Sequence, residues 1–234
     1  MDIRLSLDFD GTLVSYTPLP DQVQLEEKTG SALRKLLAHP SIHIAVISGR
    51  RRSLLMRHIK IPGVKFMGMY GWEDKAKMSL PLRRAQELTA LRTMLADLPF
   101  EVPGVAIENK GISVAVHFRG ASAAAQSCAR SYVRKALAGF RSDLHVIQSH
   151  DAWDIVPREV RGKGAALRKA FQEIGKPFLP IYVGDDTTDE PAFTAARGGI
   201  TVRVRPLTET RAHYALRGPE EVQDFLIRLE AELS

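Results

Sequence analysis

Two aspartates, Asp8 and Asp10, stand two positions apart at the end of the apolar run from Ile3 to Phe9, and Gly11-Thr12 follow them. Carboxylates so placed can hold a divalent cation while one of them attacks phosphorus. Alternation along a strand predicts that both point to the same side, and Gly11 frees the chain to turn. A second acidic set, Val183-Gly184-Asp185-Asp186-Thr187-Thr188-Asp189-Glu190, repeats the pattern of a short apolar run, a glycine and then acids. So many carboxylates repel one another strongly unless a cation lies among them. Asp-Gly and Asp-Asp pairs also serve ordinary turns and helix caps. The recurrence of the pattern at two separate strand ends favours the cation.

Two further stretches fit the same chemistry. Ser48 ends an apolar run ahead of a helical pattern, so its hydroxyl and the following amides of Gly49 and Arg50 can hold a phosphate oxygen. Lys163, in Arg161-Gly162-Lys163-Gly164, also precedes a helical pattern. Its ammonium can neutralise both Asp8 and a phosphate. A serine at a helix start is often only a cap, and Lys-Gly is common in loops. Both stretches gain weight from their place between the acidic motifs.

The elements that must position these residues read as α/β, since short β-rich runs alternate with helical patterns. Strands are expected at Ile3 to Phe9, Ile42 to Ile47, Val64 to Tyr70, Ile181 to Val183 and Ile200 to Val204. Helices are expected at Lys28 to Ala38, Arg52 to Ile59, Gly164 to Ile174, Glu190 to Ala196 and Glu220 to Leu229. The middle follows another rhythm: a helix from Leu82 to Leu98, a hairpin from Val105 to Phe118 turning at Asn109-Lys110-Gly111, a helix from Ala121 to Ala138, and a strand pair near Leu144 to Gln148 and Trp153 to Val156. The expectation is a Rossmann-like parallel-sheet core built from residues 1–77 and 158–234, with an α+β module inserted at 78–157. In open α/β sheets ligands bind at the carboxyl ends of the strands, where the Asp8, Ser48 and Asp185 stretches fall.

The 234 residues can bury one good core or two small ones, and 44% apolar with 26% charged residues is ordinary for a globular chain. The 33 basic against 27 acidic side chains leave +6, which favours an anionic ligand. The charge is spread out, however, and Arg50-Arg51-Arg52 is the only tight basic run. No basic stripe with groove-reading or aromatic elements accompanies it, so no nucleic-acid partner is expected. The single cysteine, Cys128, excludes an intrachain disulfide and is expected to be a small packing residue in a helix. No apolar stretch is long enough to cross a bilayer and no signal-peptide pattern opens the chain, so no membrane partner and a cytoplasmic location are expected. Oligomeric state leaves no mark in the pattern.

The four stretches in this order, Asp8-Phe9-Asp10-Gly11-Thr12, Ser48-Gly49-Arg50, Lys163-Gly164 and Gly184-Asp185-Asp186-Thr187-Thr188-Asp189-Glu190, resemble the signature motifs of the haloacid dehalogenase superfamily of phosphohydrolases. The insertion between the second and third motifs looks like that superfamily's type-two cap. Within the superfamily the resemblance is to trehalose-6-phosphate phosphatases. It rests on the fourth motif, on Glu108-Asn109-Lys110 followed by His117-Phe118-Arg119, and on Trp153-Asp154-Ile155-Val156-Pro157. It extends to Thr210 to Leu216 with Glu221-Val222, and so runs along nearly the whole chain.

The resemblance implies magnesium-dependent hydrolysis of a sugar phosphate, trehalose 6-phosphate before others, through an aspartyl-phosphate. Asp8 is then the nucleophile and Asp10 the general acid and base, with Ser48 and Lys163 stabilising charge. Mg²⁺ falls to Asp8, the main-chain carbonyl of Asp10 and Asp185, with Asp186 and Asp189 ordering that shell. Gly49 and Arg50 lie at the phosphate loop. Glu108, Lys110 and Arg119 read sugar hydroxyls, joined by Glu73 and Glu190 from the core. His117 and the tryptophans Trp72 and Trp153 are expected to be packing residues. Three departures stand out. Tyr70-Gly71-Trp72-Glu73 replaces the usual His-Gly-Ala-Glu, Asp154 stands where a glutamate is usual, and the stretch from Pro157 to Lys163 is about one residue longer. They bear on the sugar more than on the reaction, and leave glucosylglycerol phosphate, a mannosylglycerate precursor and a catalytically silent sugar-phosphate sensor as alternatives.

Overall fold

A computed structural model describes residues 1–17, 23–74, 82–96, 98, 102–140, 143–205 and 209–233. The chain divides into two compact units, one of Met1–Lys77 with Arg161–Ser234 and one of Met78–Val160. The expected junction near 77 and 78 lies outside the described residues.

In the first unit, β1 (Asp2–Leu7), β2 (Ile42–Ile47), β3 (Lys65–Met67), β8 (Phe178–Gly184), β9 (Ile200–Val204) and β10 (Tyr214–Leu216) form a six-stranded sheet in the order β10-β9-β8-β1-β2-β3. Every pairing in it is parallel. Leu5, Leu7, Val46, Val183 and Val204 are wholly buried in it. Parallel strands covered on both faces need such apolar runs. Helix α1 (Glu27–Ala38) buries Ala32, Leu33 and Leu36 on one face, and each buried leucine contributes about 1.5–3 kcal/mol over an exposed one. Helix α7 (Pro219–Ala231) buries Val222 and Leu226 in the same core. The amide of its Gln223 donates to the Thr29 hydroxyl at 3.0 Å. Helices α2 (Arg52–His58) and α6 (Glu190–Ala195) follow β2 and β8 in the chain, and α5 (Lys163–Gln172) precedes β8. The strand order reverses between β1 and β8, which pair side by side. Their carboxyl ends therefore border the crevice where such sheets bind ligands.

The second unit is antiparallel: β4 (Ala106–Asn109), β5 (Val114–His117), β6 (Leu144–Gln148) and β7 (Ala152–Pro157) run in the order β4-β5-β7-β6. Helices α3 (Leu82–Leu95) and α4 (Ala123–Leu137) pack their buried Leu88, Leu91, Leu95, Ala129 and Val133 with Val114, Val116, Trp153 and Ile155 of the sheet. By alternation, Glu108, Ala115 and Asp154, which sit in register across three strands, face the other way. The fold is thus a six-stranded parallel α/β core with an inserted four-stranded antiparallel α+β module of the type-two cap kind.

Three expectations change in detail. Strand β1 ends at Leu7, so alternation does not govern Asp8 and Asp10, and the two side chains find different partners. Strand β3 stops at Met67, because Met69, Tyr70 and Gly71 all have left-handed backbone, with φ of 48°, 57° and 90°. Cys128 is exposed rather than packed: the buried face of α4 falls on Ala129, Val133, Ala136 and Leu137, one position away. The edge strand β10 was missed, since Tyr214-Ala215-Leu216 is too short to show a period. No helix among the described residues is long and apolar enough to cross a membrane.

Candidate active site

Asp8 directly follows β1, and its backbone N–H donates to the Val183 carbonyl at 2.9 Å, which extends the β1–β8 pairing by one bond. Asp185 directly follows β8. Side-by-side pairing of these strands therefore brings two acidic loops together that are 177 residues apart in sequence. Lys163, at the first turn of α5, lies between them in space. Its Nζ is 2.7 Å from Asp8 Oδ1 and 2.8 Å from Asp189 Oδ1. All of these side chains are buried.

Among the described residues, Asp8, Asp185 and Asp189 offer ligand atoms within 4.8 Å of one another. Their environments differ. Asp189 is fully satisfied: Oδ1 accepts from Lys163 Nζ at 2.8 Å and the Tyr182 hydroxyl at 2.6 Å, and Oδ2 from the amides of Asp185 at 3.2 Å and Asp186 at 2.9 Å. It organises the loop. Asp185 Oδ2 accepts from the Tyr16 hydroxyl at 3.1 Å and is ion-paired with Arg205. Asp185 Oδ1 is buried and has no donor. A buried anionic oxygen without a partner is costly, and a hard cation is the partner that carboxylate oxygens suit.

Three buried carboxylates here face one buried ammonium and one half-exposed guanidinium. Burial first, and the neighbouring carboxylates after it, set the direction of the shifts. Burial pushes the Asp8 carboxyl well above its usual range, with Lys163 opposing and Asp189 and Asp185 adding to the rise. Burial and Asp189 push Asp185 up to about 6, against Lys163 and Arg205. Burial works against the charge of Lys163, but Asp189 and Asp8 outweigh it and hold the ammonium charged. A divalent ion would remove the surplus. The residues present therefore fit a metal ion, with Asp8 and the open oxygen of Asp185 as the side chains to hold it.

Two glycines make room for this crowding. Gly11 has φ of 78°, and a Cβ there would collide with the Asp185 carboxylate and the Arg205 guanidinium. A Cβ on Gly184 would collide with the Asp189 carboxylate.

The remaining expected residues are placed as follows. Asp10 does not join the cluster. Its two oxygens accept from Arg50 Nε and Nη2, each at 2.7 Å, in a bidentate fork, and that guanidinium lies 5.4 Å from the Phe9 ring centroid. Ser48 is buried, and its Oγ accepts from the Arg50 amide at 3.1 Å, shaping the loop after β2. A Cβ on Gly49 would meet the Tyr70 ring at 2.8 Å. Asp186 caps the short 3₁₀ turn Thr187–Asp189 in a capping box with Asp189. Glu73 is taken up by the start of α2: one oxygen accepts from the Arg52 amide at 2.7 Å, and the other pairs with Arg51 Nε at 2.6 Å. Glu190 pairs with Arg203 at 3.0 Å and accepts from the Thr210 hydroxyl at 2.9 Å and the Arg211 amide at 2.8 Å. In the second unit, Lys110 pairs with Asp154 at 2.9 Å, Glu108 with the His117 ring at 2.9 Å, and Arg119 with Asp151 at 2.7 Å. His117 thus belongs to the polar face of that sheet and not to its helix side.

Sequence reasoning missed Tyr16, Tyr182, Arg203 and Arg205. A tyrosine and an arginine inside the buried runs of β8 and β9 were readable signals, because a buried hydroxyl or guanidinium must find a partner. Arg203 reaches the Asp186 carbonyl at 2.8 Å. Tyr16 and Arg205 gave no such signal.

The likenesses of the chain agree with this geometry. The sequence profile of the trehalose-phosphatase family matches residues 6–219. A trehalose-phosphate phosphatase of Mycobacterium leprae (strain TN) is 32% identical over 254 residues, covering 97% of this chain and 57% of that protein. The chain therefore spans little more than half the length of that relative. Among solved structures, the C-terminal domain of a trehalose-6-phosphate phosphatase from C. albicans superposes with a TM-score of 0.82 at 21% identity, over 98% of this chain and 92% of that one. A haloacid dehalogenase-like hydrolase from Bacteroides thetaiotaomicron gives 0.69 at 16%, over 98% and 100%. At such identities the superpositions speak for the fold alone. The profile match, which takes in all four motif stretches from Asp8 to Glu190, is what decides the matter: this chain belongs to the trehalose-phosphatase family.

Proposed function

We propose that this chain is a magnesium-dependent phosphatase that hydrolyses a sugar phosphate, trehalose 6-phosphate, through an aspartyl-phosphate on Asp8. The observation that carries this reading is the buried set of Asp8, Lys163 and Asp185 at the ends of adjoining strands, with one oxygen of Asp185 lacking a donor. Mg²⁺ bound there by Asp8, Asp185 and the Asp10 carbonyl would supply electrostatic stabilisation to the transferring phosphoryl group. Asp8 attacks phosphorus in line, and the bond to the sugar oxygen breaks. Asp10 protonates that oxygen and later takes a proton from the hydrolytic water. To do so its carboxyl must leave Arg50, which holds it as an acceptor on both oxygens. Lys163 and the Ser48 loop meet the charge spread over the equatorial oxygens. Asp189 keeps Lys163 and the loop of Asp185 and Asp186 in position.

The inserted unit reads the sugar through Glu108, Lys110 and Arg119, which pair within that unit with His117, Asp154 and Asp151 among their partners. Glu73 and Glu190 serve the core's own loops, so we assign them to positioning those loops and not to the sugar. The experiment is a panel of sugar phosphates with Mg²⁺, scored by released phosphate. Trehalose 6-phosphate is expected to turn over fastest. Turnover of another member alone, such as glucosylglycerol phosphate, would keep the reaction and replace the substrate. Binding without any phosphate release would favour a sensor.

A further inference from the structure

The four motifs account for Asp185 but not for the two side chains that grip it. Tyr16 and Arg205 both reach its Oδ2, while Oδ1 is left buried and without a donor. Arg205 stands just past β9 with φ of 58°, a left-handed conformation that a branched or long side chain occupies at a cost. Its amide donates to the Leu216 carbonyl at 2.7 Å, which fixes the backbone there. The guanidinium lies 4.7 Å from the Tyr16 ring centroid, a stacking distance for a cation on an aromatic face. Gly11 leaves the space through which it reaches the carboxylate. A strained backbone, a ring beneath the cation and a glycine beside it all serve one contact.

We propose that Arg205, braced on Tyr16, is a positioning residue that holds Asp185 by one oxygen, turns the other towards the cation site and weakens cation binding by its own charge. In the metal-free protein Arg205 offsets part of the repulsion among Asp8, Asp185 and Asp189. Once a divalent ion is bound, the same guanidinium is a like charge one carboxylate away. It therefore stabilises the empty site more than the filled one. The consequence is a chain that stays folded without metal and releases it readily. The inference rests on the reading of Asp8 and Asp185 as the cation ligands.

The test is calorimetric titration with magnesium chloride, paired with thermal unfolding in chelator and in magnesium. Arg205→Ala is expected to melt lower than the wild type in chelator and to bind Mg²⁺ several-fold more tightly, so that magnesium raises its melting temperature by a larger step. Arg205→Gly, which suits the left-handed backbone, is expected to show the same tightening. Arg205→Lys restores the charge and should return both readouts most of the way. A merely structural arginine would lower the melting temperature without tightening the metal. Unchanged or weaker Mg²⁺ binding in both Arg205→Ala and Arg205→Gly overturns the inference. Asp185→Asn separates the two layers. If it still binds Mg²⁺ like the wild type, the cation site itself is misassigned and both readings fall. If it loses binding while the Arg205 variants bind no more tightly, only the role of Arg205 falls.

Discussion

In the core unit, Asp189 is wholly buried and accepts four hydrogen bonds, and Lys163 is locked between two carboxylates. In the inserted unit, Glu108 is about half exposed and faces a His117 that is itself 37% exposed, while Arg119 and Asp151 meet at similar exposure. The first set is dry and over-determined; the second is wet and exchangeable. A buried charge network admits one geometry, because each missing partner leaves an unpaired charge. Half-exposed pairs are worth little and can be traded for ligand hydroxyls. Under the proposed function, reaction chemistry belongs with the first set and sugar recognition with the second. Lys110 and Asp154 stand between these extremes, being paired at 2.9 Å with side chains 12% and 4% exposed.

The sharpest break of this contrast is Asp8→Asn. Removing the nucleophile should lower kcat by about 10⁴ or more, with substrate still bound, as read by single-turnover kinetics and equilibrium binding. Next comes Lys163→Met, which strands two buried carboxylates. It should cost about 3–5 kcal/mol in urea unfolding and abolish activity, and added magnesium should recover part of the stability. Chelation of the wild type ranks third. Mg²⁺ at about a hundred times its Kd should stabilise the fold by about 2.7 kcal/mol, a difference that scanning calorimetry reads directly. Equal melting with and without the ion would argue against a cation among the aspartates.

The inserted unit should respond in the opposite manner. Glu108→Gln should leave stability within about 0.5 kcal/mol, yet lower kcat/KM for the sugar phosphate about tenfold to a hundredfold, while hydrolysis of a small aryl phosphate stays near the wild-type rate. Equal losses on both substrates would place Glu108 in the chemistry and dissolve the contrast. The smallest effect concerns His145, whose pKa is lowered by burial first and by Arg158 second, with Glu159 and the Val160 backbone opposing. A base held below its unfolded value of about 6.5 contributes stability above that pH, and the contribution is lost as pH falls through it. His145→Gln should flatten the fall in melting temperature between about pH 7 and pH 5.

The legible part of the sequence was whatever rests on a period or on a local run of residue types. The six-stranded core and the inserted module followed from apolar runs such as Ile42 to Ile47 and from the change of rhythm after Leu82. The meeting of Asp8 and Asp185 followed from strand ends. What a single residue's surroundings decide was hidden. Glu73 looked like a ligand for sugar; the turn through Tyr70 delivers its carboxylate to the Arg52 amide at the start of α2, one of the donors a helix start leaves open. Glu190 likewise serves Arg203, a charge that the buried strand β9 could not otherwise carry. Asp10 looked like a neighbour of Asp8 in the same cluster; β1 ends one residue too early for that, and Arg50 takes it instead. Arg205 and Tyr16 were invisible because only the folded loop brings them to Asp185.

The most direct measurement is a crystal of the wild-type chain grown with Mn²⁺ and exposed near the manganese absorption edge. One anomalous peak is expected between Asp8 and the free Oδ1 of Asp185, with Arg205 still on Oδ2. A peak held by other residues, or none at a Mn²⁺ concentration that supports phosphate release, would contradict the assignment of these aspartates.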